Sequence, residues 1–205
     1  MKKKTEAKRQ AIVDIAAEVF RESGFERASM SEICRRVGGS KATIYNYFPS
    51  KEVLFFEVMY QANQAQFTTV HAMLGESAAD VGEALRRFGV ALLTFIYSPE
   101  VMAVRRLVVT NACNGELGQT CFELGPKRSM TEISEFLRAA VEKGQLRLCD
   151  PAVATFHLRG LLESELLDAL IFRVDETISP ERIKASVERA IAVFMAAYGP
   201  TAALA

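Results

Sequence analysis

The hydrophobic positions along this chain recur at intervals of three and four residues, the spacing of an α-helix with one buried face. The first such stripe consists of Ile12, Ile15, Ala16, Val19 and Phe20. The helix that it predicts is expected to stop near Gly24. No segment of note alternates with the two-residue period of a β-strand. The sequence therefore predicts an all-α protein.

Two short helices are predicted next. Ser29 as an N-cap, with Glu32 three residues later, has the sequence of a capping box and starts the first of them. Gly38 and Gly39 must end this helix, and Ser40 can cap the second one.

Proline and glycine divide the rest of the chain into longer helices. Pro49–Ser50 breaks the second short helix before a long one, which runs from position 51 into the low 70s. Another helix is expected to open at Pro126 and to close at Gly144. Three later helices begin with a capping residue before a proline, at Ser98–Pro99, Asp150–Pro151 and Ser179–Pro180.

Residues 38–55, GGSKATIYNYFPSKEVLF, combine aromatic rings with many polar side chains. Two short helices that are joined by a glycine-containing turn and braced by a preceding helix form a helix-turn-helix, whose second helix enters the DNA major groove. Ile44 and Phe48 would anchor that second helix to the bundle. The side chains expected to face outward or along the rims are Lys41, Thr43, Tyr45, Asn46 and Tyr47. The alternative is that these aromatic residues are ordinary core.

The distribution of charge also points to the N-terminal end of the chain as the part that binds a partner. Residues 1–50 hold ten of the 25 Lys and Arg residues but only six of the 25 Asp and Glu residues, so this segment has a net charge of +4 and the remainder −4. A basic end on an acidic body suggests an anionic partner for that end alone. Many solvated helices carry a similar excess, so charge alone does not identify nucleic acid.

The composition argues against several classes of protein. The chain has 205 residues, half of them hydrophobic, which is enough for one large domain or two small ones. No apolar run reaches the ~20 residues that span a bilayer, and the N-terminus does not resemble a secretory signal, so a cytoplasmic protein without a membrane partner is expected.

The cysteines do not have the spacing of a metal site. Four widely separated thiols and two histidines are present: Cys34, Cys113, Cys121, Cys149, His71 and His157. Reduced, mostly buried thiols are the expected state, with a redox-sensing or disulfide role as the alternative. We expect neither a metal nor a cofactor.

Residues 38–55, together with ASMSEICRRVG before them and AIVDIAAEVFRESGF further upstream, resemble the DNA-binding domain of TetR-type transcriptional regulators. The match runs without a gap from about Arg9 to Leu54. The resemblance implies a three-helix DNA-binding domain over residues 1–50 and a larger helical domain over residues 51–205 that binds a small molecule and dimerises.

The same resemblance implies which residues contact DNA. Ser29 and Ser31 would contact the backbone at the start of the second helix, and Ser40 belongs to the same candidate set. The candidates for base edges or the groove are Lys41, Ala42, Thr43 and Asn46, and those for phosphates are Tyr45, Tyr47 and Lys51. A cation in the first turn of a helix opposes the helix dipole, but beside a phosphate Lys51 would be well placed.

Two positions depart from the family pattern. Gly39 replaces a residue that is usually β-branched, which should loosen the turn by up to ~1 kcal/mol. Ala42 replaces a common glycine, and its methyl group could touch a thymine methyl in the groove.

The larger domain is similar to the C-terminal domains of a TetR subgroup associated with efflux-pump control, through residues 102–128 and 139–162. A ligand pocket is expected among its middle helices, with ordinary core or surface as the alternative for every candidate. The apolar candidates are Phe67, Met73, Phe88, Leu92, Phe95, Met102 and Phe122. The polar candidates are Arg105, Asn111 and Glu163.

The last two long helices are predicted to form the subunit interface. The final helix carries apolar residues at near-heptad spacing, and the helix from Pro151 to Arg173 is apolar over more than one face. The expected interface residues are Leu162, Leu166, Val187, Ile191, Phe194, Met195 and Tyr198. A polar strip of His157, Ser164 and Asp168 would lie at this interface or in the pocket wall. The alternative is that both helices are internal core.

These features predict a ligand-responsive transcriptional regulator, most simply a repressor. It would bind near-palindromic, double-stranded operator DNA as a homodimer and would be released by a small hydrophobic or amphipathic inducer. A helical small-molecule binding protein that has lost DNA binding is a second possibility, which the basic, aromatic-rich second short helix disfavours. An all-α enzyme is a third, but no catalytic motif accompanies it.

Overall fold

The computed structural model describes residues 5–75, 80–111, 116–172 and 178–200, and these contain eleven α-helices and no β-strand. The helices are α1 (Glu6–Arg27), α2 (Met30–Val37), α3 (Lys41–Tyr47), α4 (Lys51–Gly75), α5 (Val81–Ile96), α6 (Pro99–Thr110), α7 (Glu116–Phe122), α8 (Arg128–Glu142), α9 (Pro151–Glu163), α10 (Leu167–Phe172) and α11 (Pro180–Tyr198). A π-helical turn, Glu123–Lys127, joins α7 to α8. The all-α prediction is confirmed.

The predicted helix starts are confirmed by their caps. Side-chain oxygens of Ser29, Ser40, Ser98, Asp150 and Ser179 accept hydrogen bonds from backbone amides of the first helical turn.

Only half of the predicted capping box is present. Ser29 Oγ accepts from the Glu32 amide at 3.2 Å. The Glu32 carboxylate binds Arg35 and Arg36 instead, because charge-assisted bonds to two guanidinium groups are stronger than a bond to one amide.

Glycines mark the ends of three helical stretches. Gly24 has φ 74°, so α1 is kinked where the pattern predicts its end, and a last turn follows to Arg27. Gly38 (φ 66°) and Gly144 (φ 69°) hold the left-handed conformation after α2 and α8, as expected for terminators. The helix predicted from Pro126 begins instead at Arg128, because Pro126 lies inside the π-helical turn.

The helix predicted over 151–173 is broken. It ends at Glu163, and a three-residue turn leads into α10; Arg173 and the Leu170 side chain lie outside the described residues. Ser164 Oγ donates to the Leu161 carbonyl at 2.8 Å, a local bond that competes with helical pairing. His157 and Asp168 therefore do not lie on one continuous helical stripe.

The buried side chains form two cores. The first lies among α1, α2, α3 and the first turns of α4, and it is completed by Val104 of α6 and Leu117 of α7. It includes Leu54 and Val58, beyond the predicted boundary after residue 50. The second core lies among the C-terminal half of α4 and helices α5, α8, α9 and α11.

Close packing joins α5 to α9 and α11. A Cβ atom added at Gly89 would lie 3.0 Å from Leu162 Cδ2 and 3.0 Å from Val187 Cγ1. Two residues that were predicted for the subunit interface are thus packed inside the chain.

The predicted interface residues are mostly core. Five of the seven are at most 1% exposed: Leu162, Leu166, Val187, Ile191 and Phe194. A side chain that is already enclosed offers no surface to a second subunit, so these assignments are wrong. Tyr198 is also buried and Met195 is half-buried. The near-heptad spacing of α11 reflects its packing against α5 and α9.

Within the described ranges, no single helix is long and apolar enough to span a membrane. Only α5 and α6 taken together meet that criterion, and they are bent by 68° relative to each other. Among the same residues, no group of three or more His, Cys, Asp and Glu side chains is arranged to hold a metal ion.

Candidate DNA-binding surface and ligand cavity

Helix α3 has one buried and one exposed face. Ile44 and Phe48 are fully enclosed in the first core, and the Arg9 guanidinium lies 5.2 Å from the centre of the Phe48 ring. The predicted anchoring role of Ile44 and Phe48 is confirmed. The exposed side chains are Lys41, Ala42, Thr43, Tyr45 and Asn46.

Local contacts order part of this exposed face. Ser40 Oγ accepts from the Thr43 amide at 3.1 Å and lies 2.7 Å from Thr43 Oγ1. The Lys41 ammonium lies 5.8 Å from the centre of the Tyr45 ring. The N-terminal turn of α3 is therefore held in place before any partner binds.

Other predicted DNA contacts surround α3. Ser29 and Ser31 are exposed at the start of α2. Tyr47 is half-buried, and its hydroxyl oxygen accepts from the Thr5 amide at 3.0 Å. This bond ties the start of α1 to the end of α3.

Lys51 has hydrogen-bond partners within the chain, and its phosphate contact stays a prediction. Its ammonium donates to the carbonyl oxygens of Phe25 at 2.9 Å and Ala28 at 3.2 Å, and it lies 4.3 Å from the centre of the Phe25 ring. These contacts satisfy carbonyls that the end of α1 leaves without helical partners. The position of this cation is thus explained without a phosphate.

Several cations of the N-terminal segment are paired within the chain. Arg36 bridges Glu22 at 2.7 Å and Glu32 at 2.8 Å, and Arg35 also binds Glu32. Hydrogen bonds from Arg35 and then Arg36 lower the pKa of Glu32 to about 2. Arg9 pairs with Glu57 of α4 at 2.7 Å. The charge excess of this segment therefore overstates the number of cations available to a partner.

A cavity of about 190 Å³ lies between the two cores. Its wall is formed by α4, α5, α6, α7, α8, α9 and the π-helical turn. The wall is mostly apolar, and its polar groups are concentrated on α6, α8, α9 and the middle of α4. Such a lining is typical of a binding site for a small apolar ligand.

Half of the predicted pocket residues line this cavity: Phe67, Leu92, Phe95, Arg105 and Glu163. The other five do not. Phe88 and Met102 are buried in the second core, and Met73 lies outside the cavity wall. Asn111 caps α6 by donating to the Leu107 carbonyl at 2.9 Å, and Phe122 is 44% exposed on the surface.

Sequence reasoning missed two parts of the wall. The first is the face of α4 that carries Phe56, Met59, Tyr60 and Asn63. These residues have helical spacing ahead of Phe67, so a second stripe on α4 could have identified them. The second is the turn at residues 124–126, whose π-helical geometry has no clear sequence signal.

Glu163 is the centre of a polar cluster at one end of the cavity. The whole residue is only 8% exposed. Its carboxylate binds Arg105 and accepts a hydrogen bond from the Tyr97 hydroxyl at 3.3 Å. The Arg159 Nε lies 3.5 Å from its other oxygen. Burial, and next the charge of Glu163, raises the pKa of Tyr97 to about 12.

A second polar contact couples α4 to α8. His71 Nδ1 lies 2.9 Å from the Phe67 carbonyl, which can only accept, so this nitrogen carries the proton. His71 Nε2 then accepts from Ser129 Oγ, a residue of the cavity wall, at 2.7 Å. Burial lowers the pKa of His71, which favours this neutral form.

Helices α6 and α7 connect the cavity with the first core. Val104 is buried in that core, and the next residue, Arg105, belongs to the polar cluster of the cavity. Leu117 of α7 lies in the same core, whereas Cys121, one turn later, lines the cavity. The cavity wall and the first core therefore share elements of α6 and α7.

Two family models and several curated proteins match parts of this chain. Residues 12–58 match the model of the bacterial regulatory proteins, tetR family, and residues 83–200 match the AefR-like transcriptional repressor, C-terminal domain. Fifty residues are 46% identical to the A-factor receptor protein of Streptomyces griseus, which is 24% of this chain and 18% of that protein. Sixty-one residues are 38% identical to the regulator UidR of Escherichia coli. This match covers 30% of this chain and 31% of UidR. The chain thus matches less than a third of either curated relative.

Solved structures extend the similarity over the whole fold. A tetR-family regulator from Mesorhizobium loti has a TM-score of 0.77 at 25% identity and covers 96% of this chain and 100% of its own. The flavonoid-responsive regulator FrrA has a TM-score of 0.68 at 28% identity. The match covers 97% of this chain and 100% of FrrA. With a helix-turn-helix built from α2 and α3 and a C-terminal match over more than half of its length, this chain belongs to the TetR family of transcriptional regulators.

Proposed function

We propose that this protein is a ligand-responsive transcriptional repressor. It binds near-palindromic operator DNA as a homodimer and releases it when a small hydrophobic or amphipathic inducer enters the cavity. The observation that carries the proposal is that α3 buries Ile44 and Phe48 and exposes a polar face, as the recognition helix of a helix-turn-helix does.

The DNA contacts are assigned from exposure on α2 and α3. Asn46 and Thr43 are the candidates for direct base recognition, and Ala42 offers a methyl group to a thymine methyl. Lys41 and Tyr45, which lie together on α3, are the proposed contacts to the phosphate backbone beside the groove. Ser29 and Ser31 approach a phosphate from the start of α2.

The dimer forms through an exposed apolar face, which replaces the buried residues predicted from sequence. Its members, all at least 40% exposed, are Val153, Phe156, Leu167, Ile171, Phe172 and Val193. Six of the ten large hydrophobic side chains that are exposed in the described residues therefore lie on α9, α10 and α11, and such a concentration is typical of an interface.

A second copy suits this face. Helix α9 packs on α11, and Arg189 of α11 pairs at 2.6 Å with Glu165 in the turn that follows α9. Gly160 is exposed on α9 with open space around its Cβ position, which permits close approach of another helix. Two helices from each subunit around a two-fold axis give a four-helix interface.

The inducer acts through elements that the cavity shares with the DNA-binding core. Helix α4 begins in that core and lines the cavity from Phe56 to Phe67, and Val104 of α6 belongs both to the core and to the cavity wall. A ligand that prefers a shifted arrangement of these helices changes the separation of the two α3 helices in the dimer. Half-sites must lie ~34–36 Å apart, so a shift of a few ångströms weakens two-site binding.

Selection from a library of random DNA duplexes tests this function without knowledge of the operator. The protein should enrich an inverted repeat, because a symmetric dimer reads two half-sites. Thr43→Ala should lower affinity for the enriched duplex by ~1–3 kcal/mol but leave random DNA unaffected. The control is Thr69→Ala, an exposed threonine of α4 remote from α3, which should behave like the wild type. Failure to enrich any sequence contradicts the proposal.

A further inference from the structure

We infer that the cavity takes a compact amphipathic carboxylate, whose acid group is bound by Arg159 at the end of the cavity where Arg105 meets Glu163. This inference deepens the proposed function and rests on the cavity being the inducer site. It is carried by the charge balance and the hydrogen bonding of the polar cluster.

The cluster has more positive than negative charge. Arg105 and Arg159 share one carboxylate, that of Glu163, and the guanidinium of a third wall residue, Arg128, pairs with Glu132 outside the wall. Within the described cavity wall, one cation therefore exceeds the available anions. The Arg159 side chain is 40% exposed, so water meets part of its hydrogen bonding, and a ligand anion in the cavity could replace that water and balance the charge.

Arg159 is the member whose contacts are weakest. A guanidinium has five donors, yet the contacts of Arg159 in the described residues are Glu163 Oε1 at 3.5 Å and the Met130 sulfur at 3.7 Å. The first distance exceeds an ordinary charge-assisted bond, and a thioether is a weak acceptor. Arg105, in contrast, binds Glu163 and lies 5.0 Å from the centre of the Tyr97 ring.

A carboxylate matches what Arg159 lacks. Its two oxygens fit the planar fork of a guanidinium, which gives two parallel charge-assisted bonds. A neutral alcohol supplies only one weaker acceptor, and an ammonium group meets two guanidinium groups. The apolar remainder of the ligand would lie against rings and aliphatic side chains such as Phe56, Phe67 and Leu92.

The volume of the cavity limits the size of the carboxylate that it can hold. About 190 Å³ is less than the ~300–1,000 Å³ usual for drug-sized ligands, so the carboxylate should have a short chain or a single ring.

Calorimetric titration with three eight-carbon compounds tests the inference: octanoate, 1-octanol and octylammonium. They share one apolar chain and differ in the charge of the head group. The wild-type protein at pH 7.5 should bind octanoate at least ~10-fold more tightly than octanol, a difference of ~1.4 kcal/mol, and octylammonium least. Equal affinities, tighter binding of the amine, or no binding of octanoate overturns the inference.

Two variants test whether Arg159 is the residue that causes the preference for octanoate over octanol. Arg159→Met keeps an apolar stem but removes the guanidinium, and it should reduce the preference for octanoate to less than ~3-fold without changing octanol binding. The control is Arg138→Met, an exposed arginine of α8 outside the cavity wall, which should keep the full preference. An unchanged preference in Arg159→Met contradicts the assignment.

Glu163→Gln provides a test with the opposite sign. Removing the competing carboxylate should strengthen octanoate binding several-fold, whereas general damage to the cavity would weaken all three compounds. Weaker octanoate binding in this variant contradicts the inference.

Because these titrations contain no DNA, they separate the two proposals. A preference for octanoate with no enriched duplex retains the ligand class and rejects the repressor. An enriched duplex with equal binding of octanoate and octanol does the reverse.

Discussion

Helices α3 and α11 each carry apolar residues at helical spacing on a buried face, and they differ in what lies on their second face. In α3 the buried pair Ile44 and Phe48 stands opposite polar side chains, so the outer face is identified as a surface. In α11 the buried stripe that includes Phe194 stands opposite a mixed face, on which exposed Val193 and alanines lie among charged residues such as Arg189. An apolar stripe thus identifies a buried face. Whether that face packs inside the chain or against another molecule can be predicted only when the opposite face differs clearly in polarity.

The largest effect expected from this comparison concerns two phenylalanines. Phe194 is fully enclosed, so Phe194→Glu buries an unpaired charge and should cost about 4 kcal/mol or more, which unfolds the C-terminal domain. Phe156 is 61% exposed, so Phe156→Glu should leave the subunit folded but convert dimers to monomers. Circular dichroism and sedimentation velocity measure the two outcomes.

Val109→Glu is the control for this pair. Val109 is also an exposed apolar residue, but it lies on α6 rather than on the proposed dimer face. It should remain both folded and dimeric. A dimeric Phe156→Glu protein would move the interface away from α9.

The second effect compares two lysines at the DNA-binding domain. Lys51→Met removes the donor to the Phe25 and Ala28 carbonyls and should destabilise the domain by ~1–3 kcal/mol, with little change in the salt dependence of DNA binding. Lys41 is exposed on α3, so Lys41→Ala should leave stability unchanged and reduce the salt slope by about one unit. Thermal unfolding and titrations at several salt concentrations separate the two. If Lys51→Met instead lowered the salt slope and left stability unchanged, Lys51 would be a phosphate contact.

The smallest effect concerns the turn between α2 and α3. Gly38 has φ 66°, which only glycine adopts at little cost, so Gly38→Ala should destabilise these helices by ~1 kcal/mol. At Gly39 the nearest neighbour of an added Cβ would be Val37 Cγ1 at 3.9 Å, an ordinary contact. Gly39→Ala should therefore stabilise the turn by ~0.4–1 kcal/mol. Hydrogen exchange at the α2 and α3 amides measures both, and effects of equal sign would contradict this account.

Local signals made the DNA-binding domain predictable. The caps at Ser29 and Ser40, the turn at Gly38 and the anchors Ile44 and Phe48 each follow from side-chain chemistry within a few residues. The carbonyl partners of Lys51 were missed because they lie more than twenty residues away, a tertiary contact that no local pattern reports.

The body was less predictable because its features arise between helices. The break after Glu163 depends on a Ser164 bond to a backbone carbonyl, and it coincides with the ion pair to Arg105 on another helix. The cavity was found only in part for a similar reason. Spacing identified the apolar faces that carry Phe67 and Leu92, whereas the position of the void depends on how those faces meet.

The most direct test of the account is the effect of half-site spacing on DNA affinity. The inverted repeat obtained by selection should be compared with the same duplex carrying five extra base pairs at its centre, which turns one half-site to the opposite side of the helix. The account predicts that the insertion reduces affinity to that of a duplex with a single half-site, because one dimer can no longer hold both. The monomeric Phe156→Glu protein should not distinguish the two duplexes. Equal wild-type affinity for both duplexes would contradict a symmetric dimer that reads two half-sites with α3.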